Sequence, residues 1–69
     1  MIVQIYRTNN PQPFSVMLIQ VNLNLTMQEC ILRHVRTSNR EQAESYARIM
    51  AALYGLNHVD NYSNYISEL

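Results

Sequence analysis

The chain has 69 residues, of which five are basic and five acidic, so its net charge is zero; 48% are hydrophobic and one is cysteine. That length suits one domain, 1–69, with a core of marginal size, and the hydrophobic fraction argues against disorder. Charge balance removes a global field for nucleic acid or lipid, the lone Cys30 excludes an internal disulfide, and no apolar run is long enough to cross a bilayer.

From the N-terminus, Ile2-Val3-Gln4-Ile5-Tyr6-Arg7 is β-branched and aromatic, the composition of a strand. Asn9-Asn10-Pro11-Gln12-Pro13 ends it, since prolines cannot donate to a ladder and asparagines favour turns. A second strand over 14–25 places Met17, Ile19, Val21, Leu23 and Leu25 on one parity and Gln20, Asn22 and Asn24 on the other. Phe14, Val16 and Leu18 make its first half apolar on both faces, which predicts a cover on each, with a second subunit as one source. Residues 26–37 carry two patterns. Met27, Cys30, Ile31, His34 and Val35 fit a helical stripe opened by a capping box, Thr26-Met27-Gln28-Glu29, whereas 30–37 are rich in strand formers. A strand over about 29–37 is the favoured assignment, although Thr26-Met27-Gln28 offers no tight-turn residue to join it to its predecessor.

The clearest element follows. Ser38-Asn39-Arg40-Glu41 has the capping-box form, Ala43, Tyr46, Ala47, Met50, Leu53 and Tyr54 recur at three- and four-residue spacing, and Gly55 stands where a left-handed C-terminal cap is wanted. A helix over 39–54 results, with Arg40, Glu41, Glu44, Ser45 and Arg48 on its wet side and Glu44 placed to pair with Arg48. Beyond it, 56–62 suit a short edge strand, while Asp60 as cap with Tyr62, Tyr65, Ile66 and Leu69 suits a turn of helix. The expected fold is therefore α+β: a small antiparallel three-stranded sheet of about 2–7, 14–25 and 29–37, one packed helix over 39–54, and a short C-terminal strand or helical turn.

Catalytic chemistry finds little footing. Cys30 and His34 are four apart, but zinc needs three or four ligands and the only other histidine is His58. Cys30 sits among apolar residues as a small hydrophobe would, and Glu41 and Glu44 are accounted for by capping and ion pairing. One glycine cannot build a phosphate loop, so no enzyme and no cofactor is expected. Arg33, His34, Arg36 and Arg40, with Arg48 further along the helix, form a local basic group able to meet phosphate or carboxylate. Tyr62 and Tyr65, among Asn57, Asn61 and Asn64, form a second contact candidate. Asn, Gln and Tyr supply about a quarter of the chain, a mixture that binding loops use for adaptable hydrogen bonds and stiff aromatic contact.

In size, in the order strand, strand, strand, helix, and in the run Thr37-Ser38-Asn39-Arg40-Glu41-Gln42-Ala43-Glu44, residues 2–56 resemble small phage and mobile-element proteins that include anti-CRISPR inhibitors. The resemblance implies stoichiometric binding to a bacterial complex without turnover, and transfers no site residue. The resulting expectation is a cytoplasmic, dimeric, protein-binding inhibitor or adaptor that uses Arg33, Arg36, Arg40, Arg48, Tyr62 and Tyr65. The alternative is a small nucleic-acid-binding regulator that uses the four arginines.

Overall fold

A computed structural model of the chain describes residues 1–65, with side chains through Asn61. Its elements are β1 (Ile2–Arg7), β2 (Phe14–Ile19), α1 (Met27–Cys30), β3 (Ile31–Thr37), α2 (Arg40–Leu53) and β4 (Val59–Tyr65). The four strands form one mixed sheet in the order β3-β2-β1-β4. β1, β2 and β3 are antiparallel neighbours as expected, and the C-terminal segment takes the strand alternative, joining β1 in parallel at the far edge. This fourth strand corrects the three-stranded expectation: α2 is a crossover carrying the chain from one edge of the sheet to the other, the kind of connection that lets β4 run parallel to β1.

The β1–β2 hairpin closes on one backbone bond and an asparagine side chain. Thr8 N–H donates to the Pro13 carbonyl at 2.7 Å, and the Asn10 Oδ1 accepts from Gln12 N–H at 3.0 Å. β2 ends at Ile19, not at 25, and Val21 and Leu23 stand 73% and 99% exposed. The alternation over 20–25 fails because asparagine competes with the ladder. Asn22 Oδ1 accepts from Asn24 N–H at 2.9 Å and its carbonyl from Leu25 N–H at 3.1 Å, which bends the chain out of the sheet. Both patterns read over 26–37 are then used in turn. The Thr26/Glu29 capping box opens one turn of helix, and the chain passes at Ile31 directly into β3. The missing tight turn is thus replaced by this excursion, which places the strand start two residues later than expected.

Asn39, rather than Ser38, caps α2. Its Oδ1 accepts from Glu41 N–H at 2.8 Å and Gln42 N–H at 3.1 Å. Thr37 Oγ1 accepts from Asn39 N–H at 3.1 Å and donates to Gln42 Oε1 at 2.8 Å, so the cap's own N–H is satisfied by Thr37 and Gln42 reaches back to the Thr37 hydroxyl. At the other end Leu56 N–H donates to Ala51 O and Gly55 N–H to Ala52 O, a Schellman closure with Gly55 at φ 68°. A Cβ there would meet nothing within 4 Å. Gly55→Ala should therefore cost only backbone strain, about 1 kcal/mol, seen as a lower urea midpoint at unchanged slope.

α2 lies over β1 and β2 with Ala43, Ala47, Met50 and Ala51 on Val3, Ile5, Val16 and Leu18. Alanines let the helix sit close to the strands, in keeping with a Cα envelope of 31 × 27 × 16 Å. On the other sheet face Tyr6, Met17, Ile19 and Cys30 pack with Leu25 and Ile31. Both faces of β2 are buried by this chain itself, so the cover once expected from a second subunit comes from α2 and the 20–30 excursion.

Candidate functional site

The packing of α2 departs from its sequence reading in one consequential way. The expected buried face included Tyr46, Leu53 and Tyr54, yet these are 42%, 76% and 37% exposed, and Ile49 beside them is 58% exposed. Three alanines four residues apart, 43, 47 and 51, take the sheet-facing position, which turns the bulky residues sideways toward β3. That signal was present in the letters: a small-residue row is the face that permits the closest approach. Viewed end-on, α2 has a small face on the sheet, a bulky apolar flank on one side and a charged flank, Glu41, Glu44 and Arg48, on the other.

The apolar flank meets β3 at Arg33. Tyr46, Ile49, Met50, Leu53 and Tyr54 with Arg33 enclose a cleft of about 280 Å³. Arg33 pairs in register with Leu18, which fixes its side chain on the helix side of the sheet, and its guanidinium donates to the carbonyl of its neighbour Leu32 at 3.4 Å. These four bulky residues stand side by side and exposed, and a contiguous apolar patch on a small protein is often an interaction site.

The other residues singled out in the sequence do not converge on this place. Arg36 is in register with Ser15, three residues from Arg33 and therefore on the opposite sheet face. Arg40 pairs with Glu44 at 3.4 Å, and Arg48 donates to Ser45 Oγ at 3.4 Å. Tyr62 and Tyr65 belong to β4, and their side chains lie outside the described residues, as do 66–69. Ile49 is the residue the sequence reading overlooked; it stands at i+3 from Tyr46 and i−4 from Leu53.

A second cleft, of about 360 Å³, lies under the 20–30 excursion and is lined by Tyr6, Ile19, Leu23, Leu25, Met27 and Cys30. Its polar element is a chain in which Tyr6 O–H donates to Gln4 Oε1 and Gln4 Nε2 to Asp60 Oδ2 at 3.1 Å. Burial, with the Asp60 carboxylate adding to it, raises the Tyr6 pKa above the ordinary tyrosine value. An unfolded phenol titrates near pH 10 while the folded one holds its proton, so this contribution is intact below about pH 10 and lost above it. Tyr6→Phe should cost about 1 kcal/mol at pH 7 and lose stability less steeply than the parent between pH 9.5 and 11, as urea midpoints would show.

Cys30 is buried, with its thiol 3.6 Å from the Asn22 carbonyl, and His34 has moved away from it onto β3 opposite Met17. Among the described residues no three of His, Cys, Asp or Glu gather as a metal site would, and no helix is long and apolar enough to cross a membrane. Glu29, fully exposed, is held below the usual carboxylate pKa by the Thr26 backbone and hydroxyl hydrogen bonds, an assignment to capping rather than to proton transfer. No protein-family model, curated protein or solved structure matches this chain.

Proposed function

We propose that this chain is a non-enzymatic protein-binding inhibitor or adaptor, which occupies a surface of a bacterial complex stoichiometrically, in the manner of the small phage and mobile-element inhibitors it resembles, in the cytoplasm of the host cell. The observation that carries the reading is the outward turn of α2's bulky side chains: Tyr46, Ile49, Leu53 and Tyr54 form a continuous apolar flank while alanines hold the helix to its sheet. An exposed apolar flank that includes two tyrosines and is bordered by an arginine has the composition of an interface centre. The nucleic-acid alternative draws less support, because Arg33 and Arg36 point to opposite sides of the sheet and Arg40 is engaged by Glu44.

Affinity capture from bacterial and phage-infected cells, followed by light scattering of the isolated complex, tests this. A fixed stoichiometry with one partner and no product formed is the expected result. Turnover of a substrate would overturn the reading, as would DNA binding whose logarithm falls with log salt at a slope of about one per phosphate contacted.

A further inference from the structure

The cleft under the 20–30 excursion has polar groups whose hydrogen bonds run in one direction. Asp60 is acceptor-only when ionised, so the Gln4 amide turns its Nε2 toward that carboxylate, at 3.1 Å, and its Oε1 toward Tyr6. Tyr6 then commits its single proton to Gln4. What the phenol has left is lone-pair capacity, and Gln4 and Tyr6 both line the cleft. Gln20, also in the lining, donates from Nε2 to the Glu29 carbonyl at 3.5 Å and keeps Oε1 as an acceptor. The Cys30 thiol is likewise turned to the Asn22 carbonyl, at 3.6 Å.

Charge favours the same kind of guest. None of the described residues that line the cleft is charged, and the chain of hydrogen bonds leads to a carboxylate. Burial first and the Asp60 charge second raise the Tyr6 pKa, so that negative charge is felt at the phenol. An anion there would be repelled and would find no donor in the Tyr6–Gln4 chain, whereas a cation bearing N–H groups meets both an acceptor and an opposite charge. The walls are apolar. Val21, Leu23 and Met27 are largely exposed beside the cleft, area that an aliphatic body would bury, and a volume of about 360 Å³ is within the range of small-molecule sites.

We infer that this cleft binds a small primary ammonium with an apolar tail, its N–H groups on the Tyr6 and Gln20 side-chain oxygens and its tail along Leu25 and Met27. The site is on the sheet face opposite α2 and does not involve the apolar helix flank. Heteronuclear NMR titration of the full chain with hexylammonium, hexanoate and hexyltrimethylammonium tests it. Hexylammonium should shift the amides of residues 20–30 saturably and bind at least about tenfold more tightly than hexanoate. Hexyltrimethylammonium keeps the charge but has no N–H, and should bind several-fold more weakly than hexylammonium. Tyr6→Phe removes the oxygen and keeps the ring, so hexylammonium should bind it about tenfold more weakly, and Asp60→Asn should narrow the preference for hexylammonium over hexanoate. Hexanoate binding as tightly as hexylammonium, hexyltrimethylammonium matching it, unchanged affinity in a folded Tyr6→Phe chain, or no saturable shift by any probe at tens of millimolar would overturn the inference. So would an N-acetyl-lysine amide that binds as tightly as hexylammonium, since it would place a peptide side chain there instead of a free amine.

Discussion

Leu18→Ala is expected to lower the free energy of unfolding by about 3 kcal/mol. Leu18 is 0% exposed on β2, between β1 and β3 in the sheet and in one core cluster with the sheet-facing side of α2, so the methyls removed leave a space that four elements would have to move to fill. At this chain length the whole stability is on the order of 5 kcal/mol, so the substitution consumes more than half of it. Urea denaturation should show the midpoint falling by more than half with the slope retained. The same change at Leu53, 76% exposed, should stay within about 0.5 kcal/mol. A contrast this wide between two leucines follows only if α2 sits with its alanines inward.

That orientation marks where the sequence was readable and where it was not. β1, the proline-asparagine hairpin and the glycine stop of α2 were legible because each depends on a few adjacent residues whose backbone preferences have no competitor. Residues 20–25 were misread because period-two alternation is also what an asparagine-punctuated loop can display, and only the hydrogen bonds of Asn22 decide between them. The α2 cap moved from Ser38 to Asn39 because the Asn39 carboxamide satisfies two amides while Thr37 holds the Asn39 N–H and Gln42. The exposed apolar flank of α2 was illegible for a different reason. Periodicity locates an apolar stripe on a helix, but a helix with small and large apolar residues on adjacent sectors has two candidate faces, and tertiary packing selects between them. Nor does the sequence reveal that residues 59–65 return in parallel beside β1, since this is a property of the crossover.

Replacing both Ile49 and Leu53 by glutamine should weaken the partner complex by at least about 100-fold, because burial of each aliphatic side chain is worth about 1.5–3 kcal/mol. Both residues point to solvent in the free chain, and glutamine is a good helix former, so thermal and urea stability should change by no more than about 0.5 kcal/mol per site. Loss of binding with retained stability is the mark of a contact surface. Parallel loss of both would assign Ile49 and Leu53 to the core.

The most direct measurement is calorimetric titration of the isolated partner with the parent chain, with the Ile49→Gln/Leu53→Gln pair, and with Arg48→Gln on the charged flank of the same helix. Affinity should collapse for the pair and stay within about threefold for Arg48→Gln, a rim-type charge substitution. Undiminished affinity of the pair, or a loss confined to Arg48→Gln, would contradict an interface on the apolar flank of α2.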